Sequence, residues 1–127
     1  MAEKKKILIV DDEVALRRAL CDSLNLMGEF SIFDAGDGEA ALEIIRKEHP
    51  DLILLDISMP KMDGIEVARR MQAEKLSEKS KIMFLTNSTD IAQIATAVEV
   101  GSSDYLIKAD WDIKDILKRV MEKLNTL

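Results

Sequence analysis

Two adjacent carboxylates, Asp11 and Asp12, a third at Asp56, a hydroxyl at Thr86 and an ammonium at Lys108 are the groups in this chain whose types could do chemistry together. Each set follows a short apolar run: Ile7 to Val10 before Asp11-Asp12, Leu52 to Leu55 before Asp56, Ile82 to Leu85 before Thr86, and Tyr105 to Ile107 before Lys108. Runs of that length and composition read as β-strands, so all five residues fall at strand ends. With parallel strands, one edge of a sheet then presents three carboxylates, a hydroxyl and an ammonium. Carboxylates held ~4 Å apart repel by about 4 kcal/mol per pair at an effective dielectric of ~20, so such an edge needs a counter-charge. Oxygen ligands, with no His or Cys at a strand end, select a hard divalent cation, Mg²⁺ rather than zinc. Mg²⁺ and Lys108 flanking a phosphoryl group, with Thr86 donating a hydrogen bond, would stabilise charge on its equatorial oxygens, and the Asp56 carboxylate could be the in-line nucleophile.

The elements that must position these groups alternate regularly. After the first strand, Leu16, Ala19, Leu20, Ser23, Leu24 and Met27 share one helical face, and Gly28 suits a left-handed cap. Phe30 to Phe33 can form a second strand, followed by the turn signal Asp34-Ala-Gly-Asp-Gly38 with Asp37 as an N-cap. Ala41, Ile44, Ile45 and Glu48 mark a second helix that must end near His49, because Pro50 restricts the residue before it. The third strand is apolar on consecutive positions, the pattern of a strand covered on both faces, and is expected at the centre of a parallel sheet. A turn over Met59 to Gly64 precedes a third helix at Ile65, Ala68 and Met71; Glu74 to Lys81 reads as helix end and loop. Ile91, Ile94, Ala95 and Val98 predict a fourth helix ending at Gly101, and Ile113, Ile116, Leu117, Val120 and Leu124 give the fifth the clearest apolar stripe. Five β-α units imply a doubly wound three-layer α/β sandwich with ligands bound beyond the carboxyl ends of the strands, at the topological switch point.

The chain has 127 residues, with 18 Lys and Arg against 24 Asp and Glu and a formal net charge of −6. Its length is expected to form one domain over residues 1–127, with a core adequate without crosslinks. The acidic balance argues against direct nucleic-acid binding. No apolar run reaches the ~18 residues of a membrane span, and Ile7 to Val10 is shorter than a signal-peptide core of ~7 to 15 residues. The lone Cys21 has no partner for a disulfide or a zinc site, which fits a reducing compartment and a cytoplasmic protein.

Taken in order, these residues resemble the receiver domain of two-component response regulators, over essentially the whole chain. Asp11-Asp12 is similar to the family's acidic pair, Asp56 to its phospho-acceptor, Met59-Pro60 and Asp63-Gly64 to its following loop, Thr86 to its switch hydroxyl, Tyr105 to its switch aromatic and Lys108 to its strand-end lysine. The resemblance implies a flavodoxin-like five-stranded parallel sheet of order 2-1-3-4-5 with five helices. It also implies Mg²⁺ held by Asp12, Asp56 and the backbone carbonyl of Ser58, with Asp11 acting through water. Asp56 would take phosphate from a sensor histidine kinase or a histidine phosphotransfer protein. Thr86 would then move toward the phosphoryl group and Tyr105 pack inward. The surface of the fourth helix, fifth strand and fifth helix would thereby change its affinity for a downstream protein, or for a second copy in a phosphorylation-dependent homodimer. Two positions depart from the family pattern. Ala109 stands where a cis proline is usual, and a cis bond without proline costs ~2.5 to 4 kcal/mol. Asn87 replaces a small residue beside Thr86.

Simpler readings stand beside these. Asp11 and Asp12 could begin the first helix, where carboxylates complement the dipole, but one would suffice. His49, the sole histidine, reads as a helix-terminal residue rather than a phosphohistidine. Lys4 to Lys6 reads as a solvated leader and Cys21 as a small packing residue. Trp111, outside the last apolar stripe, divides evenly between local packing and partner contact. An aspartyl-phosphate phosphatase of the haloacid dehalogenase type is the rival enzyme, but it generally carries a second Asp where this chain has Ser58. A flavodoxin-like FMN carrier is the rival binding module, but Asp11-Asp12-Glu13 would repel its phosphate.

Overall fold

The computed structural model describes residues 4–86, 92, 95, 96, 99, 104–108 and 112–125. Along the chain run β1 (Lys5–Val10), α1 (Val14–Leu26), β2 (Phe30–Ala35), α2 (Gly38–Glu48), β3 (Leu52–Asp56), α3 (Gly64–Ala73), a short 3-10 turn (Leu76–Glu78), β4 (Lys81–Thr86), β5 (Asp104–Ile107) and α4 (Ile113–Asn125). The strands form one sheet in the order β2-β1-β3-β4-β5, and every neighbouring pair is parallel. The expected doubly wound fold is therefore present, with β3 at its centre and winding reversed between β1 and β3.

Strand alternation divides the core into two layers. Leu8, Val10, Ile53, Leu55, Ile82 and Phe84 face one way and pack with Ala41, Leu42 and Ile45 of α2 and Val67, Ala68 and Met71 of α3. Ile7, Ile9, Leu52, Leu54, Met83, Leu85 and Leu106 face the other way and pack with Leu20 and Leu24 of α1 and Ile116, Val120 and Leu124 of α4. Cys21 is half-buried against this second layer, and burial, reinforced by the nearby Asp34 charge, pushes its thiol up to about 11. It is a packing residue.

The helix ends follow the chemistry expected of them. Asp37 Oδ1 accepts from Ala40 N at 2.8 Å, and Asp63 Oδ1 from Glu66 N at 2.9 Å, so each caps the helix that begins beside it. His49 closes α2 in the left-handed conformation at φ 48°, with its amide donating to Ile45 O, which turns the chain before Pro50. Gly28 at φ 68° turns the chain after α1.

The fourth helix expected from Ile91 to Gly101 lies mostly outside the described residues; within it, residues 92, 95, 96 and 99 are helical, and Thr96 Oγ1 donates to Ala92 O at 2.9 Å. Two expectations need correction. Lys4 to Lys6 is not simply a leader, because Lys5 and Lys6 open β1. Asp51 explains why: its Oδ2 accepts from Lys6 N at 2.8 Å, and Lys6 Nζ pairs with Glu48 at 3.3 Å. Finally, β2 extends to Ala35 rather than Phe33, so the turn begins later than Asp34.

Candidate functional site

The carboxyl ends of β1, β3, β4 and β5 bring the predicted groups to one edge. Asp56 and Thr86 are the last residues of their strands, and Asp11 and Lys108 each stand one position beyond theirs. Asp11 is 1% exposed, Asp56 4% and Thr86 0%, whereas Asp12 points to solvent. Ligand oxygens of Asp11, Asp12 and Asp56 all lie within 4.8 Å of one another. The ligand atoms of this cluster are all carboxylate oxygens, and its three carboxylates outnumber the one ammonium beside them. That donor set fits a hard divalent cation such as Mg²⁺.

Lys108 supplies the protein's own counter-charge. Its Nζ lies 2.7 Å from Asp11 Oδ2, 3.4 Å from Glu13 Oε2 and 3.5 Å from Asp56 Oδ2. Burial alone would lower the pKa of this ammonium, but the hydrogen bond to Asp11 and the charges of Asp56, Asp11 and Glu13 outweigh it and raise the pKa. Asp56 shows the opposite balance. Burial pushes its carboxyl up to about 7; Lys108 pulls against this, and the charges of Asp11 and Asp12 add to the rise. A carboxylate so placed is poorly solvated and gains from any cation that joins it.

Asp11 also answers the helix-start reading. Its Oδ1 accepts from Glu13 N at 2.9 Å, so it does order the turn into α1, while its other oxygen faces Lys108. Its amide donates to Ala35 O at 3.1 Å, tying the site to β2.

The loop after β3 contains Ser58, exposed, then the buried Met59 and Met62, and returns at Gly64. Gly64 N donates to Ile57 O at 2.9 Å, and a Cβ added at Gly64 would collide with Asp56 O. No larger residue permits this approach of the start of α3 to the end of β3 without a backbone shift. Tyr105, in β5, is 41% exposed. Asn87, Ala109 and Trp111 lie outside the described residues, and with them the geometry of the bond after Lys108.

Glu13 and Arg17, not expected at the site from the sequence, also belong to it. Glu13 joins Lys108, and Arg17 Nη1 donates to Asp11 O at 2.7 Å while its Nε pairs with Asp34 at 2.9 Å. A signal for both exists: they lie within one or two helical turns of Asp11, at the start of a helix that must begin beside the site.

Comparison with known proteins agrees with this geometry. The family model described as the response regulator receiver domain matches residues 7–121. The chain is 37% identical over 124 residues to a probable transcriptional regulator ycf27 of Porphyridium aerugineum, covering 93% of this chain and 50% of that protein, so it spans about half the length of these longer relatives. It is also 37% identical over 120 residues to sporulation initiation phosphotransferase F of Bacillus subtilis, covering 94% of each. Among solved structures, the signal receiver domain of the response regulator NarL from Mycobacterium tuberculosis superposes with a TM-score of 0.84 at 31% identity, covering 95% of this chain and 96% of that one. With a match over most of its length and carboxylates, hydroxyl and lysine gathered at the edge of the sheet, the chain belongs to the response regulator receiver domain family.

Proposed function

We propose that Asp56 is the phospho-acceptor of this receiver. Its carboxylate oxygen attacks the phosphorus of a phosphohistidine on a sensor histidine kinase or phosphotransfer protein. The P–N bond breaks as the P–O bond forms, and the imidazole leaves with a proton from solvent. The observation that carries this reading is the buried Asp56 carboxylate, 3.5 Å from Lys108 and clustered with two further carboxylates. Asp12, Asp56 and the backbone carbonyl of Ser58 would hold Mg²⁺, with Asp11 engaged through water; bound there, the ion supplies positive charge for the phosphoryl oxygens. Lys108 moves from carboxylate to phosphoryl oxygen, and Thr86 donates to another oxygen of the same group.

Each chain carries one phosphoryl group at a time and loses it slowly by its own hydrolysis, so the protein acts as a switch rather than a turnover enzyme. Its output is the surface around β5 and α4, offered to a downstream protein or a second copy. The reducing cytoplasm, where the half-buried Cys21 stays a thiol, suits this role. The phosphatase reading is not favoured, because Ser58 occupies the place where that class needs a carboxyl acid.

Incubation with acetyl phosphate and Mg²⁺ followed by intact mass measurement tests the assignment. A single phosphoryl adduct that is absent in Asp56→Asn is expected. No adduct on the wild type, or an adduct retained in Asp56→Asn, overturns it.

A further inference from the structure

Arg17 reaches back across the first turn of α1 and joins three parts of the chain. Its Nη1 donates to the backbone carbonyl of Asp11 at 2.7 Å, and its Nε pairs with Asp34 Oδ2, near the end of β2, at 2.9 Å. The side chain is only 18% exposed. A Cβ built at Gly36 would stand 2.9 Å from Arg17 Nη1, so the glycine leaves the room that the guanidinium fills. The carbonyl it grips belongs to the peptide that joins Asp11 to Asp12.

That peptide matters because it fixes the direction of the Asp12 Cα–Cβ bond, from which the exposed carboxylate reaches the cluster. On one side the Asp11 amide is held by Ala35 O, and on the other the Glu13 amide is held by Asp11 Oδ1. Arg17 holds the carbonyl between them. A planar two-donor guanidinium fixes orientation as well as position, which an ammonium does not.

We propose that Arg17 is a positioning residue for the cation site: it locks the Asp11–Asp12 peptide so that Asp12 is set in place for a hard divalent cation before the ion arrives. The inference rests on the Mg²⁺ reading above. It does not follow from charge, since a guanidinium near the cluster on its own repels a cation, and Asp34 offsets that repulsion. The two effects therefore have opposite signs, which makes them separable.

The experiment is Mg²⁺ titration by isothermal calorimetry, with metal-free amide NMR spectra and thermal melts, on wild type, Arg17→Met, Arg17→Lys and Gly36→Ala. Loss of a group that orients a metal ligand typically costs ~10-fold or more in affinity, and about 10-fold weaker Mg²⁺ binding is expected for Arg17→Met. Arg17→Lys and Gly36→Ala keep the charge and are expected to weaken binding several-fold, with metal-free shifts moved at Asp12 and Glu13. Mg²⁺ binding by Arg17→Met as tight as or tighter than wild type overturns the proposal, because only the charge or the fold was then at stake. Should Arg17→Met fail to fold, wild-type affinity in both Arg17→Lys and Gly36→Ala overturns it equally. Absence of Mg²⁺ binding by the wild type would instead sink the cation reading itself.

Discussion

The Lys108 ammonium is seated on Asp11, at 2.7 Å from Oδ2, and is further from the proposed phospho-acceptor Asp56, at 3.5 Å. The lysine thus acts as the counter-charge of a carboxylate that is 1% exposed. A buried pair that loses one partner leaves an uncompensated charge. Lys108→Met is therefore expected to destabilise the metal-free protein by about 3 kcal/mol at pH 8, with Mg²⁺ restoring part of the loss. Urea unfolding with and without Mg²⁺ measures both. Equal stability of the variant and the wild type without metal would show that the pair carries no such role.

Asp56 makes stability depend on pH in the opposite sense to an ordinary paired carboxylate. Its folded pKa is about 7, against 3.8 for the unreacted, solvated group. Between those values the unfolded chain ionises this carboxyl and the native chain does not, so the native state loses stability as pH rises. Above about 7 the full cost is in place. Asp56→Asn removes the titration and is expected to be more stable than wild type by about 2 kcal/mol at pH 8, the difference closing as pH falls toward 4. Denaturant midpoints across that range without Mg²⁺ give the test. A constant difference would mean that Asp56 ionises in the native state as freely as in the unfolded chain.

The strand-end groups were legible in the sequence because position along a strand fixes position in a parallel sheet. Once Leu52 to Leu55 and Tyr105 to Ile107 are strands, Asp56 and Lys108 can only emerge at the same edge. The side chains that reach across were not legible. Arg17 and Glu13 are long and rotatable, and their partners depend on how the Asp11 to Glu13 turn closes. Lys5 and Lys6 misled for a related reason: charge hid their place in β1, which is settled by the distant Asp51 through the Lys6 amide. Gly64 was readable as a turn residue, but its pressing contact with the Asp56 carbonyl belongs to the packed loop.

Gly64 and Gly28 provide a controlled comparison. A methyl at Gly64 collides with Asp56 O, which requires the backbone to shift, whereas a methyl at Gly28 meets nothing within 4 Å and incurs only the strain of φ 68°. Gly64→Ala is expected to cost about 2 to 3 kcal/mol and to weaken Mg²⁺ binding, because the end of β3 moves with Asp56. Gly28→Ala is expected to cost about 1 kcal/mol with Mg²⁺ affinity unchanged. Thermal melts and calorimetric titration of the two variants provide the check, and unchanged metal affinity in Gly64→Ala would detach this glycine from the site.

Tyr105 and Thr86 lie on the same face of the sheet. Phe84 pairs with Tyr105 and Thr86 with Ile107 in the parallel register, and side chains two apart along a strand share a face. If Thr86 moves toward a phosphoryl group on Asp56 as proposed, space would open on the face that also carries the Tyr105 ring. The ring is 41% exposed here and is the chain's sole tyrosine, so its accessibility can be read chemically. Tyrosine nitration by tetranitromethane is expected to slow several-fold when Mg²⁺ and beryllofluoride, a mimic of the phosphoryl group, are added together. Asp56→Asn should show no protection under the same conditions. Equal nitration rates in wild type with and without the mimic would mean that the Asp56 site and the Tyr105 surface are uncoupled, and that the output must leave the site by another route.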